Sequence, residues 1–269
     1  MSTTDRGFMN RAIELAAQNL GLVWPNPSVG CVVVLDGQIV SEAATAVGGR
    51  PHAEAIALKD IGDRGKGSTI YVSLEPCCHW GRTPPCTQAV IAAQPNRVVI
   101  AILDSDPRMR GSGVAQIREA GIQVELGLCE EEATLLNQGF FHRIQTGMPM
   151  VTVVGPKSNF EEVVRTYDAT LATRGAGLFA SFEFHRRQRS RFNTTDWLLA
   201  AADRKHTDVG ELGGLELLTL STPEAKEDEF LHEALRAMGH RGLTRVLVDG
   251  LDPLAKKLEK LGFVQHELD

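Results

Sequence analysis

Long apolar segments are absent from this chain of 269 residues. Runs such as Val29–Leu35 fall far short of the roughly 20 residues that a transmembrane helix requires. The first residues, Met1–Arg6, also lack the charged start and apolar stretch that are typical of a secretory signal peptide. We therefore expect a cytoplasmic protein without a membrane partner.

An excess of positive charge is also missing. Lys and Arg number 28 against 34 Asp and Glu, which gives a formal net charge of −6, and aromatic residues make up only 6% of the chain. Proteins that hold nucleic acid in a groove need basic side chains interleaved with aromatic ones. The composition therefore argues against a nucleic-acid partner, although a local basic pocket for one phosphate stays open.

Cysteine is scarce, with 5 residues that are too few and too unevenly spaced for a disulfide framework. Three of them, Cys77, Cys78 and Cys86, nevertheless share one short segment. In a reducing compartment such clustering more often indicates metal binding or catalysis.

Strand and helix patterns alternate through the first part of the chain. Asp36 and Gly37 predict a two-residue hairpin turn between two strands, and the later strands are unbroken apolar runs. The predicted helices cover 8–20, 53–61, 85–93, 113–120 and 130–144, and the predicted strands cover 29–35, 38–43, 69–74, 97–102 and 123–128. This pattern predicts an α/β fold with a mixed sheet, a hairpin at one side and helices on both faces.

The pattern changes after Pro149, and we place a domain boundary near residues 147–150. The interpretation is a domain over 1–148 and a smaller α/β domain over 149–269. In the second domain we expect strands over 151–154, 215–220 and 245–248, helices over 226–238 and 253–261, and a basic cluster over 185–191.

Two segments together carry a set of zinc ligands. Zinc binds His nitrogen and Cys thiolate, and a catalytic site uses three protein ligands plus one water. His52, Cys77 and Cys86 supply that number. A structural zinc closed by Cys78 or His79, or buried thiols without a metal, are the alternatives.

Glu54 lies two residues after His52, and such residues do not share one face of a helix. Both can approach one zinc only if the metal lies over the N-terminal end of that helix. Glu54 would then lie beside the zinc-bound water, where it can take a proton and pass it to a leaving amine. The pair therefore favours a catalytic zinc over a structural one.

Four spaced motifs lie in the segments Asn26–Cys31, His52–Glu54, Glu75–Cys86 and Asn137–Phe141. Together they resemble the deaminase part of the bifunctional riboflavin-biosynthesis deaminase/reductase family over roughly residues 6–150. The resemblance implies a three-layer α/β/α domain like that of cytidine deaminases. It also implies zinc-dependent hydrolytic deamination of a diaminopyrimidinone ribosylamine 5′-phosphate, a small-molecule pyrimidine nucleotide.

The resemblance also implies roles for individual residues. His52, Cys77 and Cys86 would bind Zn²⁺, with Glu54 as the catalytic proton shuttle. In the substrate site, Asn26 would hold the pyrimidine edge, since an amide offers both a donor and an acceptor. The ribose-phosphate side would be lined by His79, Arg82 and Thr83. An Asn before a proline is also typical of a turn, and Arg82 can also be a solvated surface residue.

Three positions depart from the family pattern. Thr45 stands where the family usually has a His, Trp80 replaces a second His, and Asp106 replaces an Asn. A zinc deaminase with altered specificity, acting on a related pyrimidine or pterin-like base, is therefore an alternative. A non-catalytic module stabilised by zinc is another.

The second part resembles a shortened reductase domain. The residues Asp249, Gly250 and Leu251 stand where the family has Glu-Gly-Gly in a phosphate-binding loop. A backbone that must approach a phosphate tolerates Leu poorly. We therefore expect neither NADPH binding nor hydride transfer, and a supporting role in a homodimer or tetramer. A complete deaminase/reductase that retains NADPH-dependent activity is the alternative.

Overall fold

The computed structural model describes residues 3–59, 61–107, 109–158, 160–171, 196–201, 208–212, 215–220 and 227–268. The chain divides into two compact units, Met1–Phe141 and His142–Asp269. The division falls a few residues before the boundary near 147–150 that the sequence predicts. Within the described ranges, no helix has both the length and the apolar character needed to cross a bilayer.

The first unit is built on a five-stranded mixed sheet. Its strands are β1 (Gly30–Leu35), β2 (Gln38–Ala44), β3 (Thr69–Val72), β4 (Arg97–Ile100) and β5 (Gln123–Leu126). Their order across the sheet is β2-β1-β3-β4-β5. Strand β1 pairs antiparallel with both β2 and β3, whereas β3, β4 and β5 are parallel. This confirms the predicted mixed sheet with a hairpin at one side.

The helices of the first unit follow the sequence prediction with small shifts at their ends. They are α1 (Thr3–Gln18), α2 (Ala53–Lys59), α3 (Cys86–Ala92), α4 (Ser112–Glu119) and α5 (Glu130–Thr146). The hairpin turn also follows the prediction, because Asp36 and Gly37 both have positive φ, at 51° and 74°. Positive φ at both central residues is the geometry that favours an Asp-Gly pair in a hairpin.

Strand β1 lies in the middle of this unit and is almost completely buried. It begins at Gly30, where a Cβ atom would lie only 1.8 Å from the carbonyl oxygen of Ala12 in α1. A glycine is therefore required for α1 to pack so closely on the sheet. Helix α1 and strand β1 thus both contribute to the hydrophobic core of this unit.

The second unit contains a parallel four-stranded sheet in the order β12-β6-β11-β7. Its strands are β6 (Met150–Val154), β7 (Ala169–Leu171), β11 (Arg245–Asp249) and β12 (Val264–Leu268), and its helices are α6 (Phe160–Val163), α7 (Glu227–His240) and α8 (Pro253–Lys260). A separate sheet has the order β8-β10-β9 and contains β8 (Asp196–Ala201), β9 (Asp208–Leu212) and β10 (Leu215–Leu220). The predicted strands and helices of this part are thereby confirmed. The predicted basic cluster at 185–191 lies outside the described residues.

Asp168 joins two strands of the parallel sheet. Its side chain is buried and accepts hydrogen bonds from the backbone and hydroxyl of Thr244, at 2.5 and 2.7 Å. It also accepts a bond from the backbone N–H of Arg245 at 3.0 Å. A buried carboxylate is tolerated when its acceptor positions are satisfied in this way. The start of β11 is thus fixed beside the start of β7.

Candidate metal centre

The side chains of His52, Cys77 and Cys86 meet in the first unit, with their ligand atoms within 4.8 Å of one another. The Nδ1 atom of His52 lies 3.6 Å from Cys77 Sγ and 3.4 Å from Cys86 Sγ. Ligand atoms at such separations fit the corners of a tetrahedron around one ion with bonds of about 2.0–2.3 Å. Two sulfurs and one nitrogen are also a donor set that zinc prefers. The residues therefore fit a zinc ion.

Two helix beginnings bring these ligands together. His52 comes directly before α2, where its carbonyl accepts a bond from Ile56 N at 3.1 Å, and Cys86 is the first residue of α3. Cys77 lies in the loop after β3, and its Sγ accepts a hydrogen bond from Cys86 N at 3.3 Å. Backbone N–H groups near a helix N-terminus favour a thiolate.

The pKa values of the two cysteines are shifted in opposite directions. The pKa of Cys77 is lowered to about 4, first because Cys86 hydrogen-bonds to its sulfur, an effect that the bond to His52 reinforces. The same interaction with Cys77, together with burial, raises the pKa of Cys86. The hydrogen bond to Cys77 also raises the pKa of His52. The site thus holds a thiolate at neutral pH, which is the form that binds a metal.

Glu54 is the second residue of α2 and is buried, with 3% of its surface exposed. Burial raises the pKa of Glu54 to about 7. The buried Cys31 on β1 is affected by this carboxyl group, because its pKa is raised by burial and by the charge of Glu54. A carboxyl group with a pKa near neutrality can both accept and donate a proton at physiological pH.

A fourth protein ligand is not found among the described residues. Cys78 is half-buried and His79 is exposed, and neither belongs to the cluster of ligand atoms. Three protein ligands are the number that is typical of a catalytic zinc, whereas structural sites usually have four.

The residues predicted on the substrate side differ in their exposure. His79, Arg82 and Thr83 are exposed in the segment between the two cysteine ligands. Asn26 is half-buried, and its Nδ2 atom donates to the carbonyl of Gly49 at 2.8 Å, just before the His52 segment. The amide of Asn26 therefore braces the loop that leads to the histidine ligand.

Sequence reasoning missed Arg50, which is half-buried and lies two residues before His52. Its Nη1 atom donates to Thr83 Oγ1 at 2.8 Å. The signal that was available is a basic residue next to the histidine motif. The bond joins the segments of the two ligands His52 and Cys86 on the exposed side.

Two of the departures from the family pattern have clear structural surroundings. Thr45 is buried, and its hydroxyl accepts a hydrogen bond from Val29 N at 3.1 Å, while Thr45 N donates to Val29 O at 2.8 Å. Thr45 therefore joins the end of β2 to the start of β1. Trp80, in contrast, is 68% exposed.

Comparison with known proteins places this geometry in a family. Residues 2–102 match the cytidine and deoxycytidylate deaminase zinc-binding region. The diaminohydroxyphosphoribosylamino-pyrimidine deaminase of Buchnera aphidicola is 45% identical over 145 residues, which are 54% of this chain and 99% of that protein. The chain belongs to the riboflavin-biosynthesis deaminase family. The resemblance inferred from the four motifs is thereby confirmed.

Longer members of the family also match. The riboflavin biosynthesis protein RibD of Aquifex aeolicus is 46% identical over 169 residues, which are 63% of this chain and 45% of that protein. The chain thus spans less than half the length of this RibD relative. The structure of Acinetobacter baumannii RibD matches with a TM-score of 0.76 and 27% identity, covering 97% of this chain and 84% of that one. The expected cytidine-deaminase-like domain followed by a smaller reductase-like part is therefore confirmed as the fold of this family member.

Proposed function

We propose that this protein is a zinc-dependent hydrolase that deaminates a diaminopyrimidinone ribosylamine 5′-phosphate in riboflavin biosynthesis. The observation that carries the proposal is the meeting of His52, Cys77 and Cys86 beside the buried carboxyl group of Glu54. The relative from Buchnera, which this chain covers almost completely, is named as a deaminase of that pyrimidine. We expect a cytoplasmic setting, because thiolate ligands persist in a reducing compartment.

The chain's own residues divide the chemistry between them. His52, Cys77 and Cys86 would hold the zinc ion, which, when bound, lowers the pKa of water and makes hydroxide available near neutral pH. Glu54 would accept a proton from the attacking water and deliver it to the amino group, which leaves as ammonia while the ring carbon gains an oxygen. Its pKa of about 7 supports this double role.

Contacts to the substrate would come from the surrounding loops. Asn26 would pair with the pyrimidine edge, and His79, Arg82 and Thr83 would line the ribose-phosphate side. We add Arg50 to this side, because its guanidinium group is bonded to Thr83. An arginine offers two parallel hydrogen bonds to a phosphate.

For the second unit we propose a supporting role in a homodimer or tetramer, without NADPH. The turn between β11 and α8 supports the part of this proposal that concerns NADPH. Asp249 accepts a hydrogen bond from Leu251 N at 2.9 Å, and Asp252 accepts one from Leu254 N at 2.8 Å. The carboxylates of Asp249 and Asp252 therefore already accept hydrogen bonds from the backbone N–H groups that could otherwise bind a phosphate at the start of a helix.

A deaminase of altered specificity is the second candidate, and the surroundings of Thr45 favour it. A threonine has no imidazole to offer the substrate, and the hydroxyl of Thr45 is already bonded to the backbone of Val29. The substrate would then be a related pyrimidine or a pterin-like base. The protein would make fewer contacts to a sugar and phosphate than the family pattern implies.

One experiment tests both candidates. Purified zinc-loaded protein is incubated with the diaminopyrimidinone nucleotide, with and without NADPH, and the products are followed by mass spectrometry and ammonia release. Exchange of the amino group for oxygen, without later reduction, is the expected result. Stoichiometric zinc with no turnover contradicts the substrate assignment, and a screen of free bases, nucleosides and nucleotides then tests altered specificity.

A further inference from the structure

Glu75 lies in the loop after β3, two residues before Cys77, and only 5% of its surface is exposed. Its two carboxylate oxygens accept four backbone hydrogen bonds from a distant part of the chain. The donors are Asp104 N (3.0 Å) and Gly111 N (2.9 Å) on Oε2, and Gly113 N (2.9 Å) and Val114 N (3.1 Å) on Oε1. One side chain thus fixes both ends of the segment 104–111 and the first turn of α4.

This arrangement uses the whole acceptor capacity of an ionised carboxylate, which offers about four lone-pair positions. The negative charge also lies at the N-terminus of α4, where it interacts favourably with the helix dipole. A glutamine has a single acceptor oxygen, so it would bring N–H donors against two of the four backbone N–H groups. The site therefore requires a carboxylate.

Helix α4 is also hydrogen-bonded to the residue that follows the other cysteine ligand, Cys86. Thr87, which follows Cys86 in α3, donates from its hydroxyl to the side-chain oxygen of Gln116 in α4 at 2.9 Å. The carbonyl of Cys77 accepts a bond from Thr87 N at 3.1 Å. The start of α4 also packs directly on the loop of Cys77, because a Cβ atom at Gly113 would lie 2.3 Å from Pro76 O.

Asp104, at the start of the segment that Glu75 fixes, interacts with charged groups near the cysteine ligands. Asp104 is half-buried, and burial raises its pKa, with a further contribution from the neighbouring charge of Glu75. His79 acts on the same carboxyl group with the opposite effect. Asp104 therefore interacts electrostatically with both Glu75 and His79.

We propose that Glu75 is a positioning residue, which holds Cys77 and the segment 104–111 in one fixed relation and so sets the position of the sulfur ligands. Its effect on turnover rests on the proposed function. Its effect on the metal does not, because metal binding is measured without substrate.

The test replaces Glu75 by Gln. Zinc affinity is measured by competition with a chelator, and the ligand arrangement by the absorption spectrum of the cobalt(II)-substituted protein. We expect a roughly 10–100-fold loss of zinc affinity, the range seen when groups that orient metal ligands are removed. The thiolate-to-cobalt bands should shift, and kcat should fall more than KM rises.

Asp5→Asn is the matched control. Asp5 is a buried carboxylate of the same unit whose side chain binds Tyr71 and Arg97. This variant should lower the thermal midpoint while zinc affinity and the cobalt spectrum stay as in the parent protein. A variant that only loses stability therefore differs from Glu75→Gln in both zinc affinity and cobalt spectrum.

Wild-type zinc affinity and an unchanged cobalt spectrum in Glu75→Gln would overturn the proposal. If that variant does not fold, Gly113→Ala is measured instead. The added Cβ would lie 2.3 Å from Pro76 O and 3.2 Å from Glu75 Oε1, so it displaces the start of α4 while Glu75 keeps its charge. The same spectral shift is expected, and an unchanged spectrum there also overturns the proposal. If the parent protein binds zinc but deaminates no pyrimidine, the proposed function is wrong. The role of Glu75 is then tested by zinc affinity and by the cobalt spectrum alone.

Discussion

The guanidinium group of Arg50 donates a hydrogen bond to the hydroxyl of Thr83 across 2.8 Å. Arg50 precedes the histidine ligand and Thr83 precedes the ligand Cys86, so the bond connects the segments on which the metal centre depends. It also places a second cation beside the segment that carries Arg82. The proposed phosphate side of the substrate site thereby contains two arginines on separate loops.

Arg50→Ala should therefore weaken the binding of a phosphorylated substrate. A hydrogen bond to a charged group contributes about 1.5–3 kcal/mol, so we expect KM to rise roughly tenfold or more. Deamination of the dephosphorylated nucleoside should fall much less, because for this substrate only the structural effect of losing the bond to Thr83 is left. Steady-state kinetics with both substrates measure the difference. Arg118→Ala, at an exposed arginine of α4, is the control, and equal losses with both substrates would contradict a phosphate contact.

Glu54→Gln should bind zinc and lose nearly all turnover. The amide keeps the shape of the side chain but cannot carry a proton from water to the leaving group, and general acid–base catalysis contributes roughly 10²–10⁴-fold. Zinc content by elemental analysis and ammonia release are the two measurements. Unchanged turnover in this variant would contradict the role of Glu54 as the proton shuttle. A parent protein that binds zinc but releases no ammonia would instead support a module in which the metal serves stability only.

Cys77→Ser and Cys86→Ser should each reduce the bound zinc to well below one equivalent per chain, because each removes a sulfur from the cluster of three ligands. Cys78→Ser is a closely matched control, since Cys78 is the neighbour of Cys77 but lies outside the cluster. It should retain zinc at the parent level. Loss of zinc in this control would show that Cys78 is a ligand.

The sequence predicted those parts of the molecule whose structure is determined by residues close together in the chain. The apolar run of β1, the Asp36 and Gly37 turn and the spacing of His52 and Glu54 each depend on neighbouring residues. Glu75 has no such signal, because its partners are backbone N–H groups up to 39 residues away. Any residue type can supply a backbone N–H, so the pattern of side chains does not reveal the contact.

The position of Thr45 shows a second limit of sequence reasoning. Its place in the motif, where the family usually has a His, indicates that a contact to the substrate has been lost. In the structure its hydroxyl and backbone hold the start of β1, a role that depends on the pairing of β1 with β2. Only the folded sheet makes Val29 the neighbour of Thr45.

Asn137→Ala should destabilise the first unit. The buried amide of Asn137 accepts from Ser28 N and donates to Ser28 O, both at 2.9 Å, and the truncation leaves these buried backbone groups without their partner. We expect a loss of roughly 2–4 kcal/mol in the free energy of unfolding. Urea denaturation measures it. Leu135→Ala, at a side chain of the same helix that is 55% exposed, should cost much less.

The turn between β11 and α8 predicts that this protein does not bind NADPH there. Asp249 and Asp252 each accept a bond from a backbone N–H of the turn, and their charges would repel a phosphate. Leu251 lies at the same turn, and its side chain is 76% exposed. A phosphate that must come close to the backbone of a turn favours glycine there, because a side chain is in the way. Titration of NADPH, followed by its fluorescence, should therefore show no saturable change. Asp252→Ser keeps a cap on α8 but removes one charge, so any weak binding should increase in this variant. Saturable binding by the parent protein, or reduction of the deaminated product in the presence of NADPH, would show instead that the reductase-like unit retains its cofactor.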